Sequence, residues 1–254
     1  MVERALLEIR GVVKRFGGLL ALDGVGFEVR PGDFFGLIGP NGAGKSVLIN
    51  IVTGLYKPTR GSVIFGGRDV TSLRPHLRHQ LGMSRTFQHS TLFFELSVLE
   101  NIMMGVRAIS GMGLWGTLAN TRANHLSDEA IGVVAEEAVD LLGLKRYRTE
   151  TAGKLPYGLQ KIVSIGMAVA SKPKLLLLDE PLTGLIASEV DEVMRHISLL
   201  NRQGITVLIV EHNMRAVMGY CNRIMVLNFG IKIAEDQPSE IRRNEKVIRS
   251  YLGE

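Results

Sequence analysis

The stretch GPNGAGKS, residues 39–46, decides how this sequence is to be read. It fits G-x-x-x-x-G-K-[ST], and its context makes the match specific. FFGLIG (34–39) is a short apolar run ending in glycine, the pattern of a buried strand, and GKSVLINIVTGL (44–55) then has the pattern of a helix. A glycine-rich turn between strand and helix lets backbone N–H groups wrap phosphate oxygens, with the positive end of the helix dipole behind them. In this reading Gly39, Asn41, Gly42, Ala43 and Gly44 shape the cradle. Lys45 supplies positive charge for the β- and γ-phosphates, and the Ser46 hydroxyl can ligate Mg²⁺.

A second stretch completes the chemistry. LLLLDE (175–180) reads as a buried strand that ends in two acids. Asp179 is placed to hold Mg²⁺, and Glu180 to polarise a water attacking the γ-phosphate. ITVLIV (205–210) is another strand, followed by His212 in VEHN. In a parallel sheet the C-terminal strand ends gather around a phosphate site, so His212 is expected to reach the γ-phosphate.

The bulk properties agree with one large domain, or one domain carrying an inserted lobe. The chain has 254 residues, 46% of them hydrophobic but only 6% aromatic, so aliphatic side chains must build the core. Its net charge of +5 is spread out, without the Lys/Arg blocks that mark nucleic-acid-binding tails, and no nucleic-acid partner is expected. One cysteine, Cys221, excludes a disulfide framework and a multi-cysteine metal site, which suits a reducing cytoplasm. The N-terminal stretch is charged early and has no long apolar core, unlike a signal peptide. No run of about 18 apolar residues is free of charge, so work at a membrane would be that of a peripheral subunit.

Along the chain, strands alternate with helices, which argues for a parallel sheet with crossover helices. LLEIRGVVKRF and VGFEVRPGD near the start have strand character and fit an antiparallel sheet beside the main one. PTRGSVIFGGRDV (58–70) reads as turn, strand and Gly-Gly turn. From 125 to 143 a helix is expected, with Ser127 as N-cap and Asp128 and Glu129 in its first turn. Another is expected from about Gly158 to Ala170. SEVDEVMRHISLLNRQG (188–204) reads as an amphipathic helix stopped by Gly204, and a short helix follows His212. RIMVLNFG (223–230) reads as the last strand and turn, and the Gly-rich stretch at 105–118 as a loop or loose insertion.

GPNGAGKS, Gln88 in TFQ, LPYGLQK (155–161), LLLLDEP and VEH stand in the order and spacing of ABC-transporter ATPase subunits, and the resemblance covers essentially the whole chain. FGGLLALDGV (16–25), LFFELSVLENIMMG (92–105), the segment 106–128 and the tail 233–254 resemble more narrowly the ATPases of branched-chain amino acid importers, in particular the longer of the two paralogs (the LivG type). Urea-importer and lipopolysaccharide-export ATPases resemble this chain as well, so the ATPase of a urea importer or of a lipopolysaccharide exporter stands as an alternative.

The resemblance implies an ABC ATPase fold: a P-loop NTPase core with a parallel sheet, an N-terminal antiparallel β subdomain and an inserted α-helical subdomain. The core would comprise 1–88 and 173–232, the helical subdomain 89–172, and a C-terminal helical tail 233–254. It implies ATP and Mg²⁺ as ligands, integral-membrane permease subunits and a second ABC ATPase subunit as partners, a solute-binding protein as an indirect one, and a place on the cytoplasmic face of the inner membrane. Phe16 matches the aromatic that stacks on adenine, and Gln88 the glutamine that contacts Mg²⁺ and water. The 89–105 stretch would face the permease, with Phe93, Phe94 and Leu96 as exposed apolar residues in that contact; the alternative is that they pack the helical lobe.

LPYGLQK matches the signature loop, which in this family caps the ATP of a facing partner. Pro156 stands for its serine, Tyr157 for its first glycine and Leu159 for its glutamine, while Gly158 remains. Losing the serine removes one charge-assisted hydrogen bond, worth about 1.5–3 kcal/mol, which weakens such a cap without abolishing it. Two further departures are Val47, in the nucleotide-binding set where a second Thr or Ser is common, and Leu185-Ile186-Ala187-Ser188 after the acids. The altered loop motivates an alternative role as a low-turnover, nucleotide-gated subunit paired with a more active paralog.

Overall fold

The computed structural model describes residues 4–86, 92–107 and 122–252. Strands β1 (Leu7–Phe16) and β2 (Leu19–Val29) form a hairpin closed by Phe16 opposite Leu19. β3 (Phe34–Ile38) is buried along its whole length and leads through residues 39–44 into helix α1 (Lys45–Val52). β4 (Arg60–Phe65) and β5 (Arg68–Asp69) return to the hairpin, so that one antiparallel sheet has the order β2-β1-β4-β5. Then follow α2 (Pro75–Gln80), β6 (Met83–Arg85), α3 (Val98–Arg107), α4 (Arg122–Leu141) and α5 (Tyr157–Val169). The remainder runs β7 (Leu175–Asp179), α6 (Ala187–Arg202), β8 (Thr206–Val210), α7 (Met214–Tyr220), β9 (Arg223–Asn228), β10 (Ile231–Asp236), α8 (Pro238–Arg243) and α9 (Glu245–Leu252).

The second sheet has the order β10-β9-β3-β8-β7-β6. β9, β3, β8, β7 and β6 are parallel, and β10 pairs antiparallel with β9 at the edge. Its central strands read as unbroken apolar runs because both faces are covered. Alternate residues divide between two cores. Phe35, Leu37, Leu175, Leu177, Leu208 and Val210 pack with α1 and the antiparallel sheet. Phe34, Ile38, Leu176, Leu178, Val207 and Ile209 pack on the other face, with α5 and α6 contributing Ile162, Val163, Val193 and Ile197. The phosphate-loop helix and the LPYGLQK helix therefore lie on opposite faces of one sheet.

Four expectations change. Helix α4 begins at Arg122, upstream of the expected start, so Ser127, Asp128 and Glu129 are interior residues rather than cap and first turn. Nothing in RANHL (122–126) breaks a helix, and a good cap residue marks a start only where the chain upstream stops being helical. β9 is not the last strand: β10 follows after the turn at Phe229 and Gly230, and residues 233–236 belong to it rather than to a helical tail. Residues 105–107 close helix α3 rather than opening a loop, while 108–118 of that Gly-rich stretch lie outside the described residues. Leu96 is half-buried; Phe93 and Phe94 are exposed.

Candidate functional site

The phosphate loop owes its shape to glycines that no other residue could replace. Gly44, the N-cap of α1, has φ 101°, and a Cβ there would lie 2.8 Å from the Ala21 carbonyl oxygen. At Gly39 a Cβ would collide with the Leu227 carbonyl at 2.1 Å. β2 and β9 thus press on the loop from both sides. Ala43 is buried, Asn41, Gly42 and Ser46 are exposed, and Val47 packs partly into the core beneath. Lys45 is 7% exposed, and its Nζ donates to Gly39 O (2.7 Å) and Pro40 O (3.0 Å). Burial pushes its amine below the usual lysine range, while Glu180 and Asp179 pull it back up. The loop therefore holds a desolvated ammonium among carbonyls, next to exposed backbone and a hydroxyl, which is a site suited to polyphosphate.

β7 runs parallel to β8, and β8 to β3, so their C-terminal ends carry Asp179, His212 and the phosphate loop to one edge. Asp179 is buried, and its Oδ2 accepts from Arg85 Nη2 at 2.7 Å. Arg85, at the end of β6, also donates from Nη1 to Asn50 Oδ1 (2.7 Å) on α1, so it ties the phosphate-loop helix to the acidic strand end. Its Nε is buried without a hydrogen-bond partner. Glu180 is half-buried and has φ 48°, in the left-handed region. Its N–H is fixed to Val210 O (2.9 Å). Strain of this kind at a non-glycine residue persists where the surroundings dictate it, characteristically at functional positions.

His212 is well exposed, and its Nδ1 lies 3.9 Å from Glu211 Oε2. Glu211 itself is fully buried. It accepts the N–H groups of Leu182 (2.8 Å), His212 (3.1 Å) and Asn213 (3.4 Å). Desolvation raises its carboxyl above the usual range, and these amides oppose the rise. Glu211 thereby joins the segment after Glu180 to the segment that carries His212.

Phe16, at the tip of the β1–β2 hairpin, is 42% exposed. Its ring meets Tyr56 edge to face, with centroids 5.4 Å apart, and Lys14 Nζ lies 4.7 Å over it. Ala21, which abuts Gly44, is two residues beyond the pair that closes this hairpin, so the aromatic platform borders the phosphate loop. At the other end of the chain, Tyr251 of α9 meets the Gly39 backbone; burial pushes its phenol up to about 12.

LPYGLQK starts α5 with Pro156 at the N-cap. Tyr157 is exposed, Gly158 buried, and Lys161 Nζ lies 5.1 Å from the Tyr157 ring. Gln160 does not replace the lost glutamine, because its side chain donates back to Leu155 O (2.9 Å). The loop and the chain's own phosphate loop sit on opposite faces of the sheet, so the structure does not bring them together in one subunit. Gln88 lies outside the described residues; Thr86, two residues earlier, donates its N–H to Leu177 O (3.0 Å).

Arg85, Glu211, Tyr56, Lys14 and Tyr251 escaped the sequence reading. RTFQ and VEHN placed Arg85 and Glu211 near the expected site residues Gln88 and His212, and that adjacency was the available signal. Among the described residues no cluster of three or more His, Cys, Asp or Glu could hold a metal. Ser46 and Asp179 carry oxygen donors of the kind that Mg²⁺ takes. Among the described residues no helix is long and apolar enough to cross a membrane.

Residues 22–183 match the family model for the ABC transporter, and residues 232–254 match that for the branched-chain amino acid ATP-binding cassette transporter. The chain is 38% identical over 254 residues, all of both chains, to the high-affinity branched-chain amino acid transport ATP-binding protein LivG of Salmonella typhimurium. It is 35% identical over the full length of both to BraF of Pseudomonas aeruginosa, which carries the same description. Among solved structures, the ADP conformation of an ATP-binding cassette from an ABC transporter superposes with a TM-score of 0.85 at 32% identity, covering 99% of this chain and 100% of that one. A dimeric post-hydrolysis cassette bound to ADP and Pi gives 0.73 at 26% identity, covering 91% and 98%.

Proposed function

This chain belongs to the ABC transporter ATP-binding family, and we propose that it powers an importer of branched-chain amino acids by hydrolysing ATP, docked on permease subunits at the cytoplasmic face of the membrane. The observation that carries the proposal is the meeting of Lys45, Asp179, Glu180 and His212 at the ends of adjacent parallel strands, in a chain similar along its whole length to LivG and BraF.

The residues divide the work. Phe16, backed by Tyr56 and Lys14, offers a face on which adenine stacks. Lys45 exchanges the Gly39 and Pro40 carbonyls for β- and γ-phosphate oxygens. Ser46, Asp179 and Gln88 would hold Mg²⁺, which would supply positive charge against the charge developing on the phosphates. Glu180 accepts the proton of the attacking water, and the His212 imidazole contacts the γ-phosphate. Val47 contributes main chain to the same cradle.

Pro156, Tyr157 and Gly158 lie away from this site, and we assign them to the ATP of a second ABC ATPase subunit facing the first, either a copy of this chain or a paralog. The dimeric cassette among the structural neighbours supports that arrangement. Closure on ATP and opening after hydrolysis would move permease helices through the exposed Phe93 and Phe94.

Reconstitution with permease subunits and a solute-binding protein of a branched-chain amino acid importer tests the proposal. Uptake of leucine, isoleucine or valine into proteoliposomes should require MgATP and vanish with Glu180→Gln. Uptake of urea instead, or of no amino acid, would overturn the substrate assignment.

A further inference from the structure

Glu189 bridges two segments that the composite-site reading places at the subunit interface. One carboxylate oxygen accepts the Ile186 N–H at the start of α6 (3.1 Å). The other accepts the Gly158 N–H of the signature loop (3.2 Å). The fit is close, since a Cβ on Gly158 would lie 3.2 Å from Glu189 Cβ and Cγ. A second contact joins the same segments: a Cβ on Gly184 would lie 3.0 Å from Tyr157 Cε1. Ile186 and Tyr157 are exposed at 66% and 42%, so the bridge lies beside open surface.

The geometry points to Glu189 as an internal anion that occupies the γ-phosphate's place on Gly158 while the subunit is unpaired. This rests on the proposed function, in which Gly158 caps the partner's ATP. With Pro156 in place of the serine, the donors this loop offers an anion are the backbone N–H groups at the start of α5, Gly158 among them. In the isolated chain a carboxylate already uses the Gly158 N–H. A γ-phosphate can take that N–H only when Glu189 gives it up, and an undisplaced carboxylate would repel the incoming phosphate. Glu189 keeps its hold on Ile186 in the exchange, so the swap costs one hydrogen bond and leaves α6 capped. The Ile186 segment leads back to the acid, with Leu185 N–H on Leu182 O (3.2 Å) and Thr183 N–H on Glu180 O (3.3 Å). Arrival of the partner's nucleotide is thereby felt within six residues of this subunit's own Glu180.

Light scattering on Glu180→Gln protein, titrated with MgATP, tests the exchange against the same protein carrying Glu189→Gln. Glutamine keeps the size and can still accept from Ile186 but lacks the charge. The double variant should dimerise at an ATP concentration lower by on the order of tenfold, as for one hydrogen-bonded anion removed from competition. Glu189→Ala should shift the titration the same way. A residue that merely caps α6 would lower the thermal midpoint in the alanine variant and leave the titration unmoved. If Glu180→Gln dimerises with MgATP and the Glu189 variants match it, the inference fails while the composite site stands. Loss of dimerisation in folded Glu189 variants also overturns it. If none of the proteins dimerises, the pairing of this chain with itself fails, and the inference with it. Amide exchange on the ATP-free wild-type chain gives a monomer readout: Gly158 should be protected, and deprotected by Glu189→Ala while the rest of α5 is unchanged. Rapid exchange at Gly158 in the wild type would refute the contact itself.

Discussion

Arg85 and Asp179 form an ion pair of 2.7 Å between the ends of neighbouring strands, and both side chains are largely buried. The acid expected to hold Mg²⁺ is thus held by a guanidinium, which is itself anchored on α1 through Asn50. Removing Arg85 leaves a buried carboxylate without its counter-charge. Arg85→Ala should cost about 3–5 kcal/mol in urea unfolding. Adding Asp179→Asn to it should recover part of that loss. An additive double variant would show that the pair contributes nothing of its own.

Glu180→Gln should reduce MgATP turnover by roughly 100-fold or more, as expected for loss of a general base. Nucleotide affinity, measured with a fluorescent ATP analogue, should stay within a factor of about 3, because the neutral amide keeps the shape of the site. A matching fall in affinity would place Glu180 in binding rather than in water activation.

Phe16 tests the adenine platform. Phe16→Ala should weaken ATP binding by about 1–3 kcal/mol, the range for a base stacked on an aromatic ring. Affinity for inorganic triphosphate should not change. Tyr56→Ala should give a smaller effect of the same kind, since Tyr56 only braces the ring.

Glu211 gives a pH signature. Its carboxyl is raised above the ordinary glutamate range by desolvation, so the folded protein holds that proton more tightly than the unfolded chain. Its contribution is complete below the ordinary value, about 4.3, and is lost as pH rises through the raised folded value. In Glu211→Gln this component disappears. The amount by which the wild-type thermal midpoint exceeds that of the variant should therefore shrink as pH rises from about 4.5 toward neutrality. A gap that widens over that range would contradict the assignment.

Much of the architecture was legible because its signals are local. FFGLIG, GPNGAGKS and the following helix carry strand, turn and helix chemistry within about one crossover unit, and the runs at 175–179 and 205–210 are apolar throughout because both sheet faces are covered. Weaker signals misled. Ser127 has cap chemistry, but its helix starts at Arg122, and a cap residue in mid-helix looks the same in sequence. IKIAED lies at a sheet edge with none of its residues buried, so it lacks the apolar run that marked its neighbours.

The sequence by itself determined that Lys45, Ser46, Asp179, Glu180 and His212 stand at the phosphate-loop motif and at strand ends, the positions from which we propose that they bind phosphate and activate water. The tertiary structure decided which side chains hold these positions and the LPYGLQK loop in place. Arg85 reaches Asp179 across 94 residues and Glu189 reaches Gly158 across 31, while Glu211 spans 29 to Leu182. Each is a charged side chain meeting a partner brought alongside by sheet order and helix packing. Such contacts leave no periodicity or spacing in the chain, because the geometry that pairs them exists only after both cores have formed.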